Sequence, residues 1–474
     1  MSPTGKPKEY CGLCAVTGGD RVLERLQAGL HTLQHRGQEA AGVMVSAGGS
    51  CLLHKAPGLV EQVFSTLPAD WFDEGVNIGR GIGHVRYGTA GGSLAVNAQP
   101  LMVNMAGRTV GIAHNGTLCN APTLRRELQA EGALFQTTTD TELILHLMAR
   151  SLLKRCHGNI WDALAESLHQ LKGAFSLLLL TEDALVAVRD PHGFRPLAIA
   201  DYDDGAYMVA SETIAFGVTG ATCMREVEPG EMVIWNHNNR MSSRRYAECT
   251  RRAHCIFEHV YFARPGSYVF GDSVYEVRKA MGRQLAREAP VDADVIVPVP
   301  DSGLYAALGY AEASGIPLDM ALSRNHYVGR TFIDPAVKSS RLKLAISKLQ
   351  PIPEAVKGKR ICLIDDSIVR GNTSRARVHT LRDAGATEVH MRVSCPPHRH
   401  GCYFGIDFPE REALLANKVP EHDLCRALRL DSLGYLSQAG MLSCVKARRP
   451  EDYCCACFDG QYPVTPDALA EPHS

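Results

Sequence analysis

The sequence predicts two domains of mixed α and β structure: a layered, β-rich first half and a second half built on a parallel sheet. Three observations predict it. At 474 residues the chain is too long for one ordinary core. From about residue 172 to 235, short apolar runs (LLLL, ALVAV, LAIA, YMVAS, EMVIW) are punctuated by Gly/Asp turns, the pattern of stacked strands. Residues 361–374 read as a buried strand, ICLI, then the adjacent carboxylates Asp365 and Asp366, then a small-residue loop opening a helix over 374–384. In an open parallel sheet, ligands bind beyond the carboxyl ends of the strands. A small-residue loop entering a helix offers unpaired backbone N–H groups to a phosphate. Two carboxylates beside it can accept hydrogen bonds from a sugar diol or orient a hydrated divalent ion.

Composition narrows the function classes. The chain is 45% hydrophobic and 21% charged with a formal net charge of −1, so a nucleic-acid partner has no electrostatic support. The five arginines between Arg240 and Arg252 read as a solvated linker or interface face. No apolar run approaches the roughly 18 residues of a membrane span, and MSPTGKPKEY lacks the apolar core of a secretory signal. Sixteen cysteines without an export signal point to reduced thiols, catalysis or metal binding, and to a cytoplasmic protein.

Taken in order, Cys11–Val16 reads as a first buried strand after a leader, with Cys14 a small core residue. Six blocks follow: LQHRGQEAAGV from Leu33, GHVRYGT from Gly83, NAQP from Asn97, AHNG from Ala113, TTDTE from Thr138 and RDPHGFRPL from Arg189. Their order and content resemble the class II glutamine amidotransferases, which implies an N-terminal-nucleophile domain with an αββα sandwich over residues 11–245. The resemblance also implies that residues 1–10 are a propeptide and that Cys11, once exposed, attacks the glutamine amide to form a thioester and release ammonia. An α-amine titrates near pKa ~8, close to a thiol at ~8.5, so the α-amine of Cys11 can serve as its base. By the same resemblance Asn115 and the Gly116 N–H form the oxyanion hole, Arg86 clamps the substrate carboxylate and Asp140 holds its α-ammonium.

In the second half, FEHVYFARPGS from Phe257 precedes a predicted helix over Val274–Glu288, and the strand Asp294–Val297 enters Pro298-Val299-Pro300-Asp301-Ser302-Gly303. That loop is a second anion cradle. With the string at 361–374 it resembles the type I phosphoribosyltransferases, which bind phosphoribosyl diphosphate (PRPP) and imply such a domain over residues 246–440. The resemblance assigns Asp301, Ser302 and Gly303 to pyrophosphate, Arg370, Gly371, Asn372, Thr373 and Ser374 to the 5′-phosphate, and Mg²⁺ to Ser302, Asp365 and Asp366. A closing loop begins at Arg324, with Arg330 and Lys348 expected to meet phosphate; residues 338–347 depart from the family pattern. Taken together, residues 11 to about 463 resemble the amidophosphoribosyltransferase family. That resemblance implies production of 5-phosphoribosylamine from glutamine, PRPP and water, the opening step of de novo purine synthesis. It further implies feedback by purine nucleotides and a homotetramer.

The tail, residues 441–474, carries Cys454-x-x-Cys457, a pair that suits zinc, a redox couple or an iron–sulfur cluster. The iron–sulfur branch of the family places four ligands where Cys255, Cys402, Cys454 and Cys457 stand, which implies a 4Fe–4S site; Cys455 and Cys395 are nearby alternatives. The rival reading is a fold that has lost catalysis and binds nucleotides or PRPP as a regulator. Such a chain would carry lesions at the nucleophile, the Asn-Gly pair or the acidic pair, and none is present. An aminating enzyme for another sugar phosphate would lack both cradles.

Overall fold

The computed structural model describes residues 11–73, 76–87, 95–154, 159–325, 349–408 and 410–470. The expected propeptide 1–10, Arg330, Lys348 and the segment 338–347 lie outside the described residues.

In the first half two antiparallel sheets face one another. One has seven strands in the spatial order Thr222–Glu226, Ala198–Asp201, Tyr207–Ala210, Gly12–Thr17, Ile78–Arg86, Ala40–Ala47 and Ser50–Pro57. The other has six, in the order Met241–Arg245, Glu231–Trp235, Leu185–Arg189, Gly173–Leu180, Arg108–Leu118 and Leu101–Met105. The two-residue period of a strand sorts side chains between separate cores. Leu13 and Ala15 meet Leu178, Leu180 and Val233 between the sheets. Cys14 and Val16 turn the other way, under the helices Val22–Thr32 and Ile214–Thr219. Leu177 and Leu179 face the helices Ala121–Ala130, Thr141–Lys154 and Ile160–Leu168. The αββα sandwich is therefore written in alternation. The arginine cluster is the edge strand Met241–Arg245 and its continuation rather than a linker, with Arg244 on Asp162 and Arg252 on Glu228.

The second half holds a four-stranded parallel sheet in the order Val295–Pro298, Arg360–Asp365, Glu388–Val393 and Ser432–Tyr435. The helix Val274–Glu288 packs on Leu304–Ser314 at backbone distance: a Cβ on Gly282 would sit 1.9 Å from the Ala306 carbonyl oxygen, and one on Gly309 1.9 Å from that of Lys279. Because Val295 pairs with Ile361 in parallel, the loops leaving both strands emerge at the same edge of the sheet. The helix after the acidic pair spans Asn372–Asp383, starting two residues before the expected position because Gly371 turns the chain in a left-handed conformation, φ 75°. No helix among the described residues is long and apolar enough to cross a membrane.

Candidate functional site

Three candidate centres can be built from these elements. The first lies at one end of the sandwich. Gly12 pairs with Val85, which sets Cys11 beside Arg86 at the ends of adjacent strands. Burial pushes the Cys11 thiol up, while the Tyr87 backbone N–H and the Arg86 charge pull it back; Asp140 is near enough to act on it. Asn115, on the strand Arg108–Leu118, is fully buried, and among the described residues neither its amide nitrogen nor its oxygen has a partner. An unmade hydrogen bond on a buried amide costs about 1–3 kcal/mol, so such a group is retained where a ligand completes it. Gly116 follows with φ 144°, and any Cβ there would lie 2.1 Å from the Ala174 carbonyl oxygen. Only glycine fits.

Asp140 is held in place: its Oδ2 accepts from the Leu118 N–H at 2.9 Å, and its Oδ1 is 3.5 Å from His114 Nδ1. Burial opposes its ionisation, but His114 and the backbone donors outweigh that and keep its carboxyl below the ordinary value. The sequence reading missed the residues that brace this end, although it quoted their blocks. Gln99 accepts from the His114 N–H at 2.7 Å and donates to Thr141 Oγ1 at 3.0 Å. Asn97 exchanges two hydrogen bonds with Thr138 at 2.9 and 3.1 Å. The NAQP, AHNG and TTDTE blocks are thus one hydrogen-bonded assembly.

The second centre is the carboxyl edge of the parallel sheet. The Val299 N–H donates to the Ile364 carbonyl at 2.8 Å, seating the Asp301–Gly303 loop against the acidic strand. A Cβ on Gly303 would come within 2.2 Å of that same carbonyl oxygen. Ser302 Oγ lies 3.5 Å from Asp365 Oδ1, which also accepts the Asp366 N–H at 3.0 Å. Asp365 and Asp366 are both fully buried. Ser367 Oγ donates to Asp366 Oδ2 at 2.6 Å, and Arg377 Nη1 to Asp365 Oδ2 at 2.7 Å. Arg370–Ser374 carry the chain from here into the helix Asn372–Asp383. Arg324 is paired with Asp301.

The third is a cavity lined by Cys255, Cys402, Cys454 and Cys457 with Phe194, Phe404, Ile406, Ala456 and Tyr462. Its walls come from distant parts of the chain. Cys255 pairs with Cys454 in a short parallel bridge, and its N–H donates to the Phe194 carbonyl at 3.1 Å. The apolar surroundings raise all four thiols, Cys255 to about 11. Backbone N–H groups of Phe404 and Ile406 reach Cys402 Sγ at 3.3 and 3.4 Å. Cys455 and Cys395, the alternatives, do not line this cavity; Cys395 Sγ instead faces the Pro396 carbonyl. Among the described residues, no three His, Cys, Asp or Glu side chains are arranged to hold a metal ion.

A buried ion cluster joins the first half to the second. Arg36 forks onto Glu258, Nη2 to Oε1 at 2.7 Å and Nη1 to Oε2 at 3.1 Å, and also pairs with Glu212. Arg195 adds a bond to Glu258 Oε1 at 3.2 Å and one to the Phe404 carbonyl at 3.0 Å. Glu212 accepts from Ser267 Oγ at 2.7 Å and the Arg264 N–H at 2.8 Å. Arg36 and Arg195 belong to sequence blocks quoted above, and their work is to hold the two halves together.

Residues 89–217 match a family described as a glutamine amidotransferase domain. The amidophosphoribosyltransferase of Bacillus subtilis is 44% identical over 462 residues, covering 96% of this chain and 94% of that protein. That of Methanothermobacter thermautotrophicus is 43% identical over 462 residues, covering 96% and 95%. Among solved structures, glutamine PRPP amidotransferase from B. subtilis complexed with ADP and GMP superposes with a TM-score of 0.88 at 42% identity, over 96% of this chain and 98% of that one. A structure described as the allosteric regulatory enzyme of purine biosynthesis gives 0.89, also at 42% identity, over 96% and 97%.

Proposed function

The chain belongs to the amidophosphoribosyltransferases, glutamine-dependent glycosyltransferases that catalyse the first step of purine biosynthesis, and from that premise we propose how its own residues divide the work. The observation that carries the proposal is the buried, unpartnered amide of Asn115 in the same end of the sandwich as the Cys11 thiol. Residues 11–245 are the glutaminase, 246–440 the phosphoribosyltransferase, and 441–474 a tail that returns to both.

Glutamine enters with its carboxylate on Arg86 and its α-ammonium on Asp140, whose depressed carboxyl stays charged. Cys11, freed of residues 1–10, attacks the side-chain amide carbon, its proton passing to its own α-amine. The developing oxyanion takes up the Asn115 amide, a donor fixed in advance, and the Gly116 N–H. Ammonia leaves, water hydrolyses the thioester, and glutamate departs. The ammonia passes inside the protein to C1 of PRPP and displaces pyrophosphate, giving 5-phosphoribosylamine.

At the second centre Asp301, Ser302 and Gly303 cradle the pyrophosphate, and Arg370–Ser374 offer backbone donors to the 5′-phosphate. Arg330 and Lys348, outside the described residues, are expected to meet phosphate as well. The carboxylates of Asp365 and Asp366, with Ser302, fit Mg²⁺: they are oxygen donors few in number, as suits an ion that keeps most of its waters and phosphate ligands. Bound Mg²⁺ would neutralise charge on the departing pyrophosphate. Purine nucleotides act as feedback ligands, a reading supported by the ADP and GMP bound to the B. subtilis enzyme.

The cysteine-lined cavity fits a 4Fe–4S cluster held by Cys255, Cys402, Cys454 and Cys457. Four thiols that act on one another's charge share one apolar cavity, the all-thiolate donor set such a cluster takes. The backbone donors at Cys402 suit a cluster sulfur ligand. The group would tie the tail to Phe194 and Cys255; the transfer reaction needs no electron. Protein purified without oxygen is expected to be brown, with about four irons per chain and absorbance near about 400 nm. Stoichiometric zinc and no iron would overturn the assignment.

The direct test of the function is pyrophosphate release from PRPP and Mg²⁺, with glutamine and then ammonia as nitrogen donor. Both donors should support it. Glutamine hydrolysis with no pyrophosphate released from either donor would favour the regulatory alternative.

A further inference from the structure

Arg377 stands behind the acidic pair, on the helix Asn372–Asp383, where the residue is only 8% exposed. Its Nη1 donates to Asp365 Oδ2 at 2.7 Å, while Asp365 Oδ1 is occupied by the Asp366 N–H at 3.0 Å and faces Ser302 Oγ at 3.5 Å. Both oxygens of this carboxylate are therefore oriented from within the protein.

We infer that Arg377 is a positioning residue that cancels much of the acidic pair's field, so that the pair admits a divalent cation only together with its pyrophosphate-bearing substrate. Two buried carboxylates alone would attract a free dication strongly, because their charges act across a medium of low effective dielectric. With the Arg377 guanidinium hydrogen-bonded to Asp365, one of the two negative charges is already offset when a lone cation arrives. A diphosphate brings the missing negative charge along with it. Binding is then ordered by electrostatics, and idle metal does not occupy the cradle. The inference rests on the assignment of Asp365 and Asp366 to PRPP and its metal.

The test reads cation affinity directly, in the full-length protein, with Mn²⁺ alone followed by electron paramagnetic resonance. Three chains are compared: parent, Arg377→Gln and Arg377→Lys. Glutamine keeps a donor for Asp365 and removes the charge; lysine keeps the charge. The parent is expected to bind Mn²⁺ weakly, Arg377→Gln at least about tenfold more tightly, since one opposite charge at this range shifts such equilibria by one to three decades. Arg377→Lys should stay near the parent, and the gain in Arg377→Gln should appear with a higher KM for PRPP than in Arg377→Lys. Tight Mn²⁺ binding by the parent would overturn the inference even if a variant failed to fold. So would equal Mn²⁺ affinity in parent and folded Arg377→Gln. The underlying site assignment fails separately, through Asp366→Asn variants that keep the parent rate of pyrophosphate release.

Discussion

Cys11→Ala is expected to abolish glutamine-dependent formation of phosphoribosylamine and to leave ammonia-dependent synthesis in place. Removing the nucleophile of a covalent hydrolase costs on the order of 10⁶ in kcat, because the remaining groups stabilise an oxyanion that no longer forms covalently. Nothing else in the proposed second reaction depends on the thiol. Cys11 precedes the strand Gly12–Thr17 and takes no part in the Arg36–Glu212–Glu258–Arg195 cluster that joins the halves. Loss of the sulfur should therefore leave the phosphoribosyl site assembled. The measurement is pyrophosphate release with each donor, alongside the intact mass of the parent protein, which should lack residues 1–10. A fully active protein that keeps Met1 would remove Cys11 from the role, since its α-amine would then be tied up in a peptide bond.

The extent to which sequence foretold this arrangement differs between its parts. The first buried strand, read over Cys11–Val16, is present as Gly12–Thr17, and the helix Val274–Glu288 appears with the bounds expected of it. Those signals are local, and local signals survive in a linear string. Asn115 and Gly116 stood out through the resemblance of their block to a known family, and the positive φ of Gly116 gives the physical reason for the glycine. Residues whose role is to meet a distant partner were not legible. Arg36, Arg195, Glu212 and Glu258 lie as much as 222 positions apart, and each alone reads as a surface charge. Arg377 likewise reads as one more arginine of a polar helix; only the fold turns it toward Asp365, twelve residues earlier. Gln99 and Asn97 stand within the NAQP block, yet their partners His114, Thr141 and Thr138 lie in other blocks and meet them only in the fold.

The acidic pair gives the second large effect, and the two carboxylates should differ in kind. Asp366→Asn keeps the side chain's shape and some hydrogen bonding to Ser367, 2.6 Å away in the parent, but removes charge that orients the metal and favours cationic character at C1. That character peaks in the transition state, so the loss should fall on kcat more than on KM. The scale for one preorganised electrostatic group is roughly 2.7–4 kcal/mol, about a hundred- to a thousandfold. Asp365→Asn should lose at least as much turnover and, unlike its neighbour, should also destabilise the fold. It leaves the Arg377 guanidinium, itself mostly buried, without its counter-ion, and breaking a buried pair on one side costs about 3–5 kcal/mol. In both variants glutamine- and ammonia-dependent synthesis should fall together, while glutamine hydrolysis in the absence of PRPP persists, because the thiol pocket belongs to a separate sheet. Thermal melts of the two variants beside their pyrophosphate-release rates check both halves of the expectation. Parent-level rates in both would reduce the pair to a buried turn, and equal melting of the two would mean that Arg377 draws its stability from elsewhere.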